Sequence, residues 1–325
     1  CYPKHLENEL KGAVKDYRVD ISLEATNYEG MDSDWFYDEL CEITKKRLEM
    51  ALYLMDKFEW DLFSVAFTSL DRIQHVFWDD DEHLLNYYRL LDNVLGKLLG
   101  SEHSVSIVVS DHGFEACRKF FGVNNWLEEH NLLKRTRLAS KERTYRALFR
   151  LRRLLPMHIR ARIPLRVRER TRLSKIEHSE SVAYSPYGGA IIVKSRDKRE
   201  EIVKLLKREE FVEAVLEKEN IYTGCHVSDA PDLFLMLKEG YEPRTWTREV
   251  VEDVKRYTDG RTFKTGTHQG AKALEALFMM LGSNVKKEKV KLDIIDVAPT
   301  ILKLMDVKDT PPLMEGEPLQ VLSED

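Results

Sequence analysis

Cysteine is scarce and scattered. Four residues in 325, Cys1, Cys41, Cys117 and Cys225, form no CxxC pair. A disulfide framework is therefore not indicated, and the simplest setting for the chain is reducing and cytoplasmic. No apolar run approaches the length needed to cross a bilayer, and no basic start followed by an apolar core marks a signal peptide. Internal repeats and low-complexity tracts are also lacking. The chain opens CYPKHLENEL, without methionine and without the Ser/Gly linker that usually follows a lipid-bearing cysteine. The expectation is an internal fragment of a longer protein.

What is present is ordinary for a globular chain: 43% hydrophobic residues, 33% charged, and enough length for one large domain with an insertion or for two domains. The net charge of −5 is unevenly spread. Residues 134–175 hold 16 Lys/Arg against 2 Asp/Glu, a net of +14, which leaves −19 on the remainder. Pro156 and Pro164 punctuate this segment, and aliphatic residues interleave with its arginines. It reads as a basic helical cap, 134–180, inserted between two parts of one core, 1–133 and 181–325. Its arginines either pair with the acidic core or meet an anionic membrane surface, which would make the protein peripheral to a membrane. Nucleic acid is the poorer fit, because few aromatics interleave for stacking.

Elsewhere strands and helices alternate. Residues 35–58 and 84–100 carry apolar residues at helical spacing. Residues 61–69 and 104–110 are short apolar runs of strand length. A helix is expected over 121–132, and strands over 188–195, 231–241 and 275–282. A charged helix is expected over 197–219, and a helix over 292–307 starting near Asp293 or Asp296. This alternation predicts an α/β fold with a mainly parallel sheet flanked by helices.

Three short stretches carry polar groups where apolar strands end. In SLDRIQHVFW, Asp71 and His75 are four apart, so a helical turn puts both on one face. In VVSDHGFEA, Asp111 and His112 follow the apolar run directly. In TGTHQG, His268 lies in a glycine-bracketed loop that allows close backbone approach. In an open parallel sheet such strand ends line one edge, where ligands bind. Each stretch has a plain structural reading: a helix cap and polar face for Asp71 and His75, a turn for His268. Taken together they form an oxygen and nitrogen donor set suited to Zn²⁺, Mn²⁺ or Fe.

The series Asp71-x-x-x-His75, Ser110-Asp111-His112-Gly113 and Gly266-Thr267-His268 resembles the alkaline phosphatase superfamily, most closely its type I phosphodiesterase/nucleotide pyrophosphatase branch. The flanks WDLFSVAFTSLDRIQHVFW, VNNWLEEHNLL and DVAPTILKLM extend the likeness over most of the chain outside the basic insertion. The resemblance implies an alkaline-phosphatase-like core and two divalent metal ions, Zn or Mn. Asp71, His75 and His268 would hold one ion, and Asp111 with His112 the other. It implies hydrolysis of a phosphodiester, a nucleotide pyrophosphate or a phosphomonoester of a small molecule or nucleotide. A phosphomutase using the same metals, or a non-catalytic binding protein with a partial metal site, are the alternatives. The resemblance also implies a Thr or Ser nucleophile and a further metal-binding Asp before Asp71. No strand ending in Asp-Gly and no nucleophile loop is found among the first 70 residues, so both are expected upstream of Cys1, with the site incomplete in this chain. Thr68, Ser69 and Thr300 read as strand-edge or capping residues.

Overall fold

The computed structural model describes residues 3–21, 30–99, 105–136, 176–256, 259–308, 311 and 314–320. The body of the predicted basic cap, 137–175, lies outside the described residues.

The chain begins with helix α1 (Leu6–Ala13) and the long helix α2 (Ser33–Lys57). Asp32 caps α2, its carboxylate accepting from the Trp35 amide at 2.9 Å. Helix α3 (Ser69–Phe77) and helix α4 (Asp81–Leu99) pack against α2. Phe36, Leu40, Ile43, Ile73, Val76, Phe77 and Tyr87 form the shared core, buried because each lies on the apolar stripe of its helix. The predicted strand 61–69 is not seen: residues 62–67 have no ladder partner among the described residues. Their apolar side chains Phe63, Val65 and Phe67 still pack on Leu48, Ala51, Val94 and Leu98. Apolar burial thus explains that run.

The strands follow: β1 (Val105–Val109) and β2 (Glu115–Gly122), then helix α5 (Val123–Glu129), β3 (Ala183–Tyr184), β4 (Ala190–Val193) and helix α6 (Arg196–Leu206). After them come β5 (Val212–Glu217), β6 (Leu233–Leu237), β7 (Gly240–Arg244), β8 (Val251–Asp253), β9 (Gly266–Thr267), β10 (Phe278–Gly282) and helix α7 (Val297–Leu304). The α/β class is as expected, but two details differ. Among the described strands only β2 and β7 pair in parallel; β1–β10, β2–β8, β2–β9, β3–β4, β4–β6 and β5–β6 are antiparallel. The expected mainly parallel sheet is replaced by three small sheets. The predicted helix 197–219 stops at Leu206, and Val212–Glu217 becomes a strand on β6. Val212 and Val215 are buried there among Leu233, Leu235 and Leu237, so β-branched packing prevails over helix propensity.

One predicted strand, 231–241, is two. Gly240, the first residue of β7, adopts φ 91°, a conformation open to glycine, and the chain changes sheet there. Helix α7 is preceded by a capping box in which Asp293 and Asp296 satisfy each other's amide ends. Among the described residues no helix is long and apolar enough to cross a membrane.

Candidate metal centre

Helix α3 supplies the first two groups. Ile73, Val76 and Phe77 bury its apolar side, which turns Asp71 in the first turn and His75 one turn later toward the remaining chain. The His75 Nδ1 donates to the Gly266 carbonyl at 3.0 Å. A carbonyl can only accept, so the proton sits on Nδ1 and the Nε2 lone pair faces Asp71 Oδ1 at 3.4 Å. Burial pushes the His75 pKa down to about 4, helped by nearby Lys264 and opposed by Asp71. The ring is neutral at pH 7, the form a metal ligand needs.

His268 arrives on the loop after β9. Its Nε2 lies 3.6 Å from the same Asp71 Oδ1. Its pKa is also lowered, by burial first and then by His112, against the pull of Asp71. The loop reaches α3 because position 266 is glycine: a Cβ there would strike the Gln74 carbonyl and come within 2.9 Å of Phe114 and Trp78. A second glycine, Gly270, passes the buried Glu115 carboxylate too closely for any side chain. Glu115 Oε2 accepts from the Lys272 amide at 3.0 Å, which closes the loop onto the start of β2.

His112 follows β1 and donates from Nδ1 to the Gly113 carbonyl at 3.0 Å. Its ring stacks on His268, centroids 4.2 Å apart and 24° from parallel. Donor atoms of Asp71, His112 and His268 all lie within 4.8 Å of one another. Phe114 forms an apolar wall, with ring centroids 4.9 Å from His75, 5.6 Å from His268 and 6.0 Å from His112.

Asp71 is divided between two tasks. Its Oδ2 accepts from the Arg72 guanidinium. Its Oδ1 is buried and has no hydrogen-bond partner. An orphaned carboxylate oxygen, with two imidazole Nε2 atoms turned to it beyond good hydrogen-bond distance, is the arrangement that a cation between the donors would complete.

The donor atoms of Asp71, His112 and His268 are therefore brought together, and His75 joins them through Asp71 at 3.4 Å and the His268 ring, centroids 5.0 Å apart. Asp111 is not in this group: its side chain is 82% exposed, with Oδ1 3.6 Å from His112 Nε2 at the solvent side. His112 thus adjoins both Asp111 and the pair Asp71 and His268. Thr68, Ser69 and Thr300 are structural, but not as strand-edge or capping groups: the Thr68 side chain makes no cap bond to α3, and Ser69 and Thr300 lie within helices. Thr68 accepts from Arg47 at 3.3 Å, Ser69 is buried, and Thr300 donates to the Asp296 carbonyl at 2.6 Å.

Sequence reasoning missed the support beneath the histidines. Glu242 on β7, almost fully buried, pairs with Lys264 at 2.5 Å and with Arg244 at 3.3 Å. Burial would raise its pKa, but Lys264 and Arg244 more than offset this and hold it low. Thr267, next to His268, also hydrogen-bonds to Glu242. The available signal was a carboxylate in the strand GYEPR and a lysine four residues before His268 in KTGTH.

A family model described as type I phosphodiesterase / nucleotide pyrophosphatase matches residues 1–296. No curated protein matches the chain. Among solved structures, phosphonoacetate hydrolase from Sinorhizobium meliloti 1021 is similar in its complexes with phosphonoformate and phosphonoacetate. The TM-scores are 0.47 and 0.46, at 17% identity over 76% of this chain and 53% of that one. Murine ectonucleotide pyrophosphatase / phosphodiesterase 5 aligns with TM-score 0.39 at 15% identity, over 74% of this chain and 53% of that one. The chain spans about half the length of these proteins.

Proposed function

The chain belongs to the type I phosphodiesterase / nucleotide pyrophosphatase family, and from that premise we propose that Asp71, His75, His112 and His268 hold a divalent ion, zinc or manganese, that serves phosphoester hydrolysis. The observation that carries this reading is Asp71 Oδ1, buried without a hydrogen bond and faced by His75 Nε2 at 3.4 Å and His268 Nε2 at 3.6 Å. Leaving a buried acceptor unsatisfied costs about 1–3 kcal/mol, and more for a charged group. A bound cation removes that cost. One carboxylate and several imidazoles match the ligand preferences of Zn²⁺ and suit Mn²⁺.

When bound, the ion polarises a phosphoryl oxygen and offsets the charge that develops there. The remaining work falls to the side chains. His75 and His268 stay neutral and present lone pairs, because burial disfavours their protonation. Phe114 and Trp78, with centroids 5.5 Å apart, exclude water from one side. Asp111, exposed beside His112, would line the open side from which a phosphoester enters and would help hold a second ion. The substrate class is a phosphodiester, nucleotide pyrophosphate or phosphomonoester.

The test is calorimetric titration of the chelator-stripped chain with Zn²⁺ and Mn²⁺, followed by titration with inorganic phosphate. Saturable metal binding is expected, lost in His268→Ala, with phosphate binding only to the metal-loaded chain. No saturable metal binding, or phosphate binding that ignores the metal, overturns the reading.

A further inference from the structure

Arg72 follows Asp71 in sequence and was not singled out by its motif. Its guanidinium nevertheless joins two carboxylates. Nη1 donates to Asp71 Oδ2, and Nη2 donates to Asp20 Oδ2 at 3.0 Å. Both carboxylates and the arginine are partly buried, with side chains 21%, 28% and 23% exposed. Asp20 is itself held, its Oδ1 accepting from the Ile21 amide at 2.8 Å. The neighbouring Val19 carbonyl accepts from Arg47, a buried residue of α2. A chain of charge-assisted bonds therefore runs from the segment after α1, through Arg72, to Asp71.

The two oxygens of a carboxylate are chemically equivalent, and rotation exchanges them. Arg72 removes that equivalence by engaging Oδ2, and leaves Oδ1 toward the two Nε2 atoms. We infer that Arg72 is a positioning residue for the metal centre: it selects the oxygen of Asp71 that faces the imidazoles, and Asp20 holds it in place. This inference rests on the metal site proposed above. Two effects oppose each other. Orientation of the ligand raises metal affinity, whereas a nearby positive charge lowers it. Asp20 decides the balance, because its carboxylate offsets the charge of Arg72 and leaves the orientation in force. Partners that orient metal ligands in this way typically change metal affinity by about 10- to 100-fold. The planar fork of arginine spans two carboxylates, which a lysine ammonium does less well.

The experiment is chelator-competition titration with Zn²⁺, together with the visible absorption spectrum of the Co²⁺-loaded chain, for wild type, Arg72→Gln, Arg72→Lys and Asp20→Asn. Far-UV circular dichroism and the urea midpoint establish that each variant is folded. Arg72→Gln is expected to weaken Zn²⁺ binding about 10- to 100-fold and to alter the Co²⁺ spectrum. Arg72→Lys recovers part of the loss, and Asp20→Asn loses less than Arg72→Gln. A folded Arg72→Gln with wild-type affinity and an unchanged Co²⁺ spectrum overturns the inference. Should Arg72→Gln fail to fold, Arg72→Lys decides: about tenfold weaker binding supports the inference and unchanged binding overturns it. If wild type binds neither ion, the metal-site reading falls and this inference with it. Wild-type binding with unaltered variants overturns this inference alone.

Discussion

At the scale of single residues, the cost of the site is concentrated at Asp71. A buried oxygen with no hydrogen bond destabilises the metal-free chain, and native folds keep such atoms where function requires them. Asp71→Asn keeps the shape and an acceptor for Arg72 while removing the buried charge. Losing the partly exposed Arg72 pair costs roughly 0–1 kcal/mol, whereas relieving the unsatisfied buried oxygen returns about 1–3 kcal/mol, so this variant without metal is expected to be at least as stable as wild type. Metal response is a different matter. A ligand at about 100 times its Kd stabilises the native state by about 2.7 kcal/mol. Thermal unfolding with and without Zn²⁺ should therefore show a clear rise in Tm for wild type and almost none for Asp71→Asn. An equal rise in both would place the ion elsewhere. The i, i+4 relation of Asp71 and His75 was legible from the helix period. The orphaned oxygen was not, because it depends on His268, almost 200 positions away.

At the scale of elements, the centre depends on how β9 is clamped to the end of α3. The Thr265 amide donates to the His75 carbonyl at 2.8 Å, and its hydroxyl donates to the Val76 carbonyl at 2.8 Å. The same hydroxyl accepts from the Trp78 amide at 2.9 Å. Carbonyls that the helix end leaves open are thus satisfied by a distant segment. The clamp needs Gly266, where an added Cβ has no room. Gly266→Ala should cost about 1–3 kcal/mol, as overpacking does. It should also weaken Zn²⁺ binding, because β9 carries His268 away from Asp71 as it shifts. Urea denaturation and metal titration on one preparation check both effects. A destabilised variant with unchanged affinity would show that His268 does not depend on the clamp. The bracketing glycines of TGTHQG suggested close approach. The element that they approach, and the register at which it happens, were settled by packing.

At the scale of the whole molecule, acid stability should depend on an ion cluster away from the centre. Asp232, just before β6, accepts from the Val193 amide of β4 at 2.7 Å and from Arg199 of α6 at 2.7 Å, with Lys218 at 3.0 Å. Burial would raise its pKa, but the Val193 amide, Lys218 and Arg199 more than offset burial and hold it below the usual value. A carboxylate depressed on folding stabilises the protein above its unfolded pKa, about 3.9, and that stabilisation is lost as pH falls through the folded value. Asp232→Asn removes the carboxylate that Lys218 and Arg199 share, while Arg199 keeps Glu219 at 3.0 Å, and should cost about 1–3 kcal/mol at pH 7. The difference from wild type should shrink steadily below about pH 4 as the native carboxyl protonates. Urea midpoints at pH 7 and pH 3 measure it. A penalty equal at both pH values would mean that the charge of Asp232 is not what joins these elements.

Local periodicity was enough to determine the long helices α2 and α4, the strand β1 and the start of α7, since burying one face of a regular element needs only the right spacing. It was also enough to single out Asp71, His75, Asp111, His112 and His268, because ligand-type residues beside apolar runs stand out in any chain. Tertiary structure alone decided the rest. Strand direction is set by which strands meet, and a run such as 61–69 or 212–217 satisfies either state until its partner is known. The grouping of His112 with Asp71 and His268, the outward turn of Asp111, and the support from Arg72, Glu242 and Lys264 have the same origin. Each rests on an electrostatic or packing contact between residues distant in sequence, or on a side-chain orientation that no local pattern encodes.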